Sequence, residues 1–277
     1  MLEAVAWCAL AVSTDVEHIF DDSDRSNRVA ITTLGTVSEA TPKKRSTAES
    51  RAVREWAFVT GDKRSSLVLY RSVRKLIRMA VFPLLRVQGT NVEVLDLPGP
   101  TILAPVHRSH LDSVLLAALS TRRIRALGKE SLFLVPVLRY LCAALGAIPV
   151  RRGEADREAL VAAKTLLDRG ESMIVFPEGG RQSPGSPVVD LFDGAAWLAS
   201  KTGARVVPVG IVGTGEALGE GSKFLRRSNV RIVVGEPMEF PVAIDGKRAD
   251  REQLAGFTAS LRVSLDQLQE EAAARKG

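Results

Sequence analysis

The chain of 277 residues has few of the residue types that several classes of protein need. Its two cysteines, Cys8 and Cys142, stand far apart and outside any Cys-x-x-Cys or Cys/His cluster, so neither a disulfide framework nor a zinc site is predicted. Aromatic residues make up only 5%, which argues against a nucleic-acid platform built on base stacking. No apolar run is long enough to cross a bilayer. The apolar content of 45% nevertheless predicts a globular protein with a sizeable core.

Positive charge is concentrated in one segment of the chain. The net charge is +6, but residues 43–86 hold 12 basic and 3 acidic residues, whereas residues 1–42 hold 2 and 7. Within 66–85 the pattern predicts a basic amphipathic helix, whose polar stripe consists of Arg71, Arg74, Lys75 and Arg78. Such a helix either lies in an anionic membrane interface or packs on the core with a solvated basic face.

The periodicity of the chain divides it into two regions. No helical or strand period persists across residues 13–65, so residues 1–65 are predicted to be a largely disordered leader, at most with short helical pieces. Residues 66–277 are predicted to form one domain. Strand-like and helix-like segments alternate there, including a continuous helix over 131–144, which predicts an α/β fold with a mixed sheet flanked by helices. Functional sites in such sheets cluster just beyond the strand ends.

A histidine and an aspartate stand five residues apart directly after a predicted buried strand. His107 follows the apolar run 101–106, and a helix begins near Leu111, so the intervening turn can fold His107 toward Asp112. A carboxylate on one ring nitrogen fixes the tautomer and leaves the other nitrogen free as a base for a hydroxyl. The alternative is a helix cap made by Ser109 beside two polar loop histidines. His110 lies only two residues from Asp112 and is the less favoured partner.

Three further segments place polar or special residues at strand ends. Residues 176–181, Phe-Pro-Glu-Gly-Gly-Arg, combine two glycines that permit close approach of a ligand with an arginine suited to phosphate. In the same segment, Glu178 could bind a hydroxyl or orient a neighbouring basic group. Residues 146–153 end in two arginines, which are potential anion ligands. The strand 206–211 contains Pro208, which indicates a sheet edge or an irregularity near a site.

Taken in order, these blocks resemble the 1-acylglycerol-3-phosphate acyltransferase family of glycerolipid acyltransferases over about residues 85–240. The histidine-x4-aspartate block of that family matches 107–112, its second block matches 146–152, and its Phe-Pro-Glu-Gly-Thr-Arg block matches 176–181. Its Val-Pro-Val block matches 207–209, and a lysine-containing stretch resembles 129–136. Each block is weak alone, whereas all of them in order and at the family's spacing are a specific signal.

The resemblance implies a role for each matching residue. His107 would be the general base and Asp112 its orienting partner. Glu178, Gly179 and Arg181 would help bind the acceptor's glycerol-phosphate part, and Arg152 would assist in binding that phosphate. Pro208 would shape the acyl-donor side. The matching residues Arg108, Ser109 and Lys129 would also bind substrate. The donor would be an acyl thioester of coenzyme A or acyl carrier protein, and no metal or bound cofactor is implied.

The resemblance also implies the setting of the reaction. The acceptor would be a lysophospholipid or glycerol phosphate, and the enzyme would sit in the cytoplasm on the inner face of the cell membrane, without a nucleic-acid partner. Several positions depart from the family: Val106 replaces a common asparagine, Arg151 a common acidic residue, Gly180 a threonine and Gln182 a common serine. These departures leave a glycolipid sugar open as the acceptor.

Other classes of function are less well matched. A serine hydrolase would need a Gly-x-Ser-x-Gly elbow, which the sequence lacks. The glycines at 213–219 do not have the spacing of a dinucleotide fingerprint. The remaining alternative is a non-catalytic protein that binds an anionic membrane or nucleic acid through residues 43–86.

Overall fold

The computed structural model describes residues 47–150, 157–219, 222, 224–241 and 249–276. Its helices are α1 Thr47–Gly61, α2 Arg64–Leu76, α3 Phe82–Leu84, α4 Leu111–Leu119, α5 Pro136–Ala144, α6 Arg157–Asp168, α7 Gly194–Thr202, α8 Thr214–Ala217 and α9 Arg251–Ala274. Its strands are β1 Gln88–Thr90, β2 Thr101–Pro105, β3 Ile124–Lys129, β4 Ala147–Val150, β5 Ser172–Ile174, β6 Arg205–Val212 and β7 Arg231–Val234. Among these residues, no helix has both the length and the apolar character that a membrane span requires.

The seven strands form one sheet in the order β1-β7-β6-β2-β5-β3-β4. Strands β2 to β6 run parallel to one another, whereas β7 is antiparallel to β6 and carries β1 parallel to itself. The five parallel strands therefore all end at the same edge of the sheet. This arrangement confirms the predicted mixed sheet flanked by helices.

Two groups of helices cover the sheet. Helix α9 lies along β6 and β7 and contacts α7, which in turn contacts α6. Helix α9 approaches β6 so closely at Gly210 that an added Cβ would lie 2.4 Å from the backbone oxygen of Leu268. Helices α1, α2 and α5 form the second group, and α2 also contacts α4. Apolar strand residues such as Ile102, Val207 and Ile232 are fully buried between these layers.

Helix α1 lies within the residues that were predicted to form the leader. Residues 1–46 lie outside the described residues, and Thr47–Gly61 is a helix that is longer than the short helical pieces predicted there. Val53 and Ala57 are buried against α5, and Asp62 at the end of α1 forms an ion pair with the buried Arg125 of β3. Tertiary contacts therefore stabilise a helix whose buried face is too small to give a clear apolar period.

The basic helix predicted for 66–85 is present, and it is packed on the core. It consists of α2, a π-helical turn at Ile77–Val81 and α3. Ile77 is buried, and two side chains of the basic stripe bind the carboxyl end of α4: Arg74 donates to the carbonyls of Ser120 and Thr121, and Arg78 to that of Leu119. Cations at a helix carboxyl terminus are stabilising because they complement the helix dipole.

The helix predicted over 131–144 is divided in two. A 3-10 turn occupies Glu130–Phe133, and α5 starts only at Pro136. Proline fixes its own backbone and disfavours a helical conformation in the residue before it, so a helix begins readily at proline and does not run through it.

Candidate active site

The motifs predicted from the sequence meet at the edge where the parallel strands end. His107 lies two residues beyond β2, residues 176–181 follow β5, and Lys129 is the last residue of β3. Strand β2 lies between β6 and β5 in the sheet, so the histidine segment occupies the centre of this edge. The main-chain N–H of Gln182 donates to the carbonyl of His107 at 2.9 Å, which ties the two principal motifs together.

His107 and Asp112 form a buried dyad. The Nδ1 atom of His107 lies 3.0 Å from Oδ2 of Asp112, and the two side chains are 8% and 0% exposed. The same carboxylate oxygen accepts the main-chain N–H groups of Arg108 and Ser109 at 2.7 and 2.8 Å. These bonds hold the turn between β2 and α4 in place. Because an ionised Asp112 needs a proton on Nδ1, the arrangement leaves Nε2 as the nitrogen that can accept one.

The ring of His107 is also held from one side by an aromatic stack. Phe176, the first residue of the second motif, lies with its ring centroid 3.7 Å from that of His107 at an interplanar angle of 17°. Stacking and the bond to Asp112 together restrict rotation of the imidazole. No separate role is predicted for Phe176 from the sequence, although it begins the motif that carries the resemblance.

Glu178 is directed toward the histidine turn and away from solvent. Its Oε2 atom accepts the main-chain N–H of His107 and the Nη1 of Arg108, both at 2.7 Å. Its Oε1 atom is buried and has no hydrogen-bond partner among the residues that the structure describes. The side chains of Arg108 and Glu178 are 3% and 0% exposed. The contacts therefore favour a positioning role for both residues over direct binding of an acceptor.

Ser109 likewise stabilises the turn. Its hydroxyl donates to the carbonyl of Leu218 at 2.6 Å and accepts the N–H of Leu111 at 3.2 Å. The N-cap residue of α4 is His110 and it makes no side-chain capping bond, so the helix cap predicted as an alternative for Ser109 is wrong, although Ser109 does bind the start of the helix. His110 is the residue that precedes α4, and it takes no part in the pair formed by His107 and Asp112.

The glycine and arginine of the second motif lie nearer to solvent. Gly179 is exposed and has a φ of +70°, a left-handed conformation that glycine adopts without strain. The ring of Phe192 covers it so closely that an added Cβ would lie 2.5 Å from a ring carbon. Arg181 is half-buried beside Gln182, which binds the histidine turn. These two residues remain candidates for contact with an anionic acceptor.

Pro208 does not lie in an edge strand, so one of the two structures predicted for it is wrong. Strand β6 is interior, between β7 and β2, and Pro208 pairs in register with Ala104. The predicted irregularity is present: β6 pairs with β7 at Val209 and then with Met238 at Val206, which leaves one extra residue on the β7 side. A bulge of this kind accommodates a residue that has no N–H to donate.

Two of the residues predicted to bind substrate lie partly or wholly outside the described part of the structure. Lys129 pairs through its backbone with Val150 at the end of β4, and its side chain is outside the described part of the structure. Arg152 falls in the undescribed segment 151–156. The roles predicted for both residues therefore stay predictions.

Comparison with known proteins identifies the domain. A family model described as Acyltransferase matches residues 86–212, inside the 85–240 core predicted from the motifs. Residues 86–212 are therefore similar to acyltransferase domains. The crystal structure of the 1-acyl-sn-glycerophosphate acyltransferase PlsC from Thermotoga maritima is similar with a TM-score of 0.60 and 25% identity, covering 83% of this chain and 90% of that one. The resemblance to 1-acylglycerol-3-phosphate acyltransferases is thereby confirmed.

Sequence relatives carry the same name. The chloroplastic 1-acyl-sn-glycerol-3-phosphate acyltransferase LPAT1 of Arabidopsis thaliana is 30% identical over 179 residues, which is 62% of this chain and 47% of that protein. The 1-acyl-sn-glycerol-3-phosphate acyltransferase of Bacillus subtilis is 24% identical over 180 residues, 65% of this chain and 86% of that protein. The acyltransferase domain thus matches about half the length of the plant relative and most of the bacterial one.

Proposed function

We propose that this chain transfers a fatty acyl group from an acyl thioester to a hydroxyl of a lysophospholipid or glycerol-phosphate acceptor. The observation that carries the proposal is the buried pair of His107 and Asp112 at the end of β2, within a domain of the acyltransferase family. The names of the relatives support a 1-acylglycerol-3-phosphate acceptor. Coenzyme A and acyl carrier protein are both candidate carriers of the acyl group.

The mechanism needs one base and no covalent acyl-enzyme. Nε2 of His107 takes the proton of the acceptor hydroxyl while its oxygen attacks the thioester carbonyl carbon. The carbon–sulfur bond then breaks, and the imidazolium returns its proton to the departing thiolate, which yields an ester and a free thiol. Asp112 keeps Nδ1 protonated and stabilises the imidazolium, as in other histidine–carboxylate pairs. Gly179 and Arg181 are the residues proposed to receive the acceptor's phosphate.

An apolar cavity near helix α4 supports the proposal that the second substrate carries a fatty acyl chain. The cavity has a volume of about 170 Å³ and lies between α4, α2, β3 and α5. Its lining includes Val73 and Ile77 of the α2 segment and Val114 and Ala117 of α4. Helix α4 also carries Asp112 in its first turn, so this helix separates the cavity from the dyad by about one helical turn. Arg74 is the one charged residue in this lining, and the walls are otherwise mainly apolar, which suits a hydrocarbon chain.

A carbohydrate hydroxyl is the second candidate acceptor. At Gly180, where the family has threonine, no atom of the described residues other than its two chain neighbours lies within 4 Å of the position that a Cβ would occupy. The acceptor side of the domain consequently has room beside the motif. A glycolipid acceptor belongs in the same assay as the lysophospholipids for this reason.

Release of thiol from an acyl thioester tests the proposal. The full chain is incubated with acyl-coenzyme A or acyl carrier protein and a panel of lysophosphatidic acid, glycerol phosphate and glycolipid acceptors. We expect acceptor-dependent release that falls by about 10²- to 10⁴-fold in His107→Ala. His110→Ala is the matched control and should retain most of the activity. Equal activity of His107→Ala and wild type would exclude the proposed base.

A further inference from the structure

The side chain of Phe192 is exposed directly beside the candidate acceptor-binding motif. It is 68% exposed, and its ring covers Gly179 so closely that a Cβ added there would lie 2.5 and 2.8 Å from two ring carbons. Gly179 belongs, with Arg181, to the segment proposed to receive the acceptor's phosphate. Single apolar side chains are common on protein surfaces, so exposure alone assigns no role to this ring. Its contact with the motif is what distinguishes it.

The backbone around Phe192 is held in place although the ring is exposed. The main-chain N–H of Phe192 donates to the carbonyl of Pro177 at 2.8 Å, which binds this residue to the motif itself. The preceding residue, Leu191, packs against the main core. A side chain that is positioned before a ligand arrives loses less conformational entropy on binding it. The ring is therefore suited to contact a ligand that lies on the motif.

Two carboxylates next to Phe192 are engaged by α9. Arg262 Nη1 lies 2.7 Å from Oδ1 of Asp190, and the hydroxyl of Thr258 donates to Oδ1 of Asp193 at 2.6 Å. These contacts fix the segment from the side away from the motif. They also reduce the repulsion that the two aspartates would exert on a phosphate bound nearby.

The contacts of the motif connect Phe192 to the dyad. Its hydrogen-bond partner Pro177 stands between Phe176 and Glu178. Phe176 stacks on the ring of His107, and Glu178 accepts the main-chain N–H of His107. An acceptor whose phosphate is bound by the glycine and arginine of the motif, and whose hydroxyl lies at the imidazole, would therefore have its carbon skeleton beside this exposed ring.

We propose that Phe192 is a specificity-determining residue of the acceptor site, whose ring packs against the carbon skeleton that joins the acceptor's phosphate to the hydroxyl that is acylated. The inference rests on the proposed function, because acyl transfer defines the acceptor. An aromatic ring gains mainly from apolar contact, whereas phosphate is recognised by N–H groups and guanidinium. The site consequently selects a phosphate that is carried on a carbon skeleton over phosphate alone.

Steady-state kinetics of the full chain with a water-soluble, short-chain lysophosphatidic acid test this contact. We expect Phe192→Ala to raise the KM for this acceptor about tenfold, because an apolar contact is lost. The kcat and the KM for the acyl thioester should stay within about twofold of wild type. Phe192→Tyr keeps the ring and should restore the acceptor's KM to within about twofold.

Phe224→Ala is the matched control for the loss of an exposed phenylalanine. Phe224 is 79% exposed and follows β6, which lies on the opposite side of β2 from β5 in the sheet. Its replacement should leave the acceptor's KM unchanged. An equal rise of this KM in Phe224→Ala would overturn the proposal, because the effect would then not depend on contact with the motif.

Inhibition by inorganic phosphate separates the contact of the ring from a general disturbance of the motif. The inhibition constant should be the same in wild type and Phe192→Ala, because the ring contacts carbon atoms of the acceptor and not its phosphate. A rise of this constant equal to that of the acceptor's KM would refute the contact, since the substitution would then have displaced the motif. A loss of activity confined to acceptors embedded in vesicles would refute it too.

Binding of the acceptor in the absence of a donor distinguishes this inference from the proposed function. Calorimetric titration with the same lysophosphatidic acid needs no turnover, and the Kd should be about tenfold higher for Phe192→Ala than for wild type. If no acyl transfer is found but this difference in Kd is present, the proposed function fails and the acceptor contact stands. If transfer is found and both proteins bind the acceptor equally, the function stands and the contact is refuted.

Discussion

Replacing Glu178 with glutamine removes the negative charge from a fully buried side chain that contacts both His107 and Arg108. The amide oxygen can still accept one hydrogen bond, but the guanidinium of Arg108 loses its ionic partner. An uncompensated buried charge costs about 3–5 kcal/mol of stability. The carbonyls of His107 and Ser186 continue to accept from Arg108, so we expect a loss near the lower value, about 3 kcal/mol. Urea unfolding of wild type and Glu178→Gln measures it.

The same substitution should affect turnover more than acceptor binding. The main-chain N–H of His107 bonds to Glu178 at 2.7 Å, so loosening this bond displaces the base relative to the acceptor hydroxyl. A displacement of about 1 Å lowers a rate by about 10²-fold. We therefore expect kcat to fall by about that factor, while the KM for the acceptor stays within about twofold of wild type. Thiol release over a range of acceptor concentrations separates the two constants.

A double variant provides the control for this reasoning. Arg108→Met/Glu178→Leu replaces the buried pair with apolar side chains of similar volume, so no unpaired charge is left and part of the stability lost in Glu178→Gln should return. Turnover should stay low because leucine offers no acceptor to the N–H of His107. If Glu178→Gln instead unfolds like wild type and mainly raises the KM for the acceptor, Glu178 contacts the substrate and the positioning role is refuted.

Three other substitutions have defined outcomes. Asp112→Asn should lower kcat by about 10²- to 10⁴-fold, because an amide can donate to Nδ1 of His107 and favour the wrong tautomer; the unfolding free energy measured in parallel detects a merely structural loss. Burial raises the pKa of Asp96, but hydrogen bonds from residues 120–122 outweigh this and hold it below its ordinary value. Its stabilisation is thus present above the unfolded-state pKa and is lost as the pH falls through the folded-state pKa. Asp96→Asn should cost at most about 1 kcal/mol at neutral pH, because Asp96 is only partly buried and solvent screens its charge, and the cost should be smaller in acid; a series of urea titrations tests this. Gly210→Ala should destabilise the fold by about 1–3 kcal/mol, because its Cβ would meet the backbone of α9; a wild-type melting temperature would contradict this packing.

The dyad could be predicted from the sequence because its information is local. His107 and Asp112 lie five residues apart across a strand end and a helix start, and the turn that joins them uses the intervening N–H groups. The alternating strands and helices likewise predicted the sheet, since each apolar segment carries its own period. What the sequence could not provide was the partner of each charged side chain. Arg108 and Glu178 are 70 residues apart in the sequence and form a buried ion pair. No local pattern distinguishes two such residues from two residues that bind a substrate.

The leader illustrates the same limit for secondary structure. Helix α1 buries only one side, through small or single apolar residues such as Val53 and Ala57, and its stability depends on α5 and on the ion pair between Asp62 and Arg125. These contacts involve residues far away in the sequence, so no local pattern predicts them. Whether a phenylalanine is buried or exposed likewise depends on contacts with distant residues, since Phe192 and Phe224 are exposed whereas Phe133 is buried.

Helix α4 links the separate parts of the site. Its first turn carries Asp112, one side of its middle lines the apolar cavity with Val114 and Ala117, and its carboxyl end is bound by Arg74 and Arg78. Contacts at its two ends therefore hold in place the helix that carries the dyad's carboxylate and lines one side of the cavity. The basic stripe of α2 thereby has a function inside the fold that does not depend on a membrane. Its positive charge alone consequently does not identify a membrane-binding face.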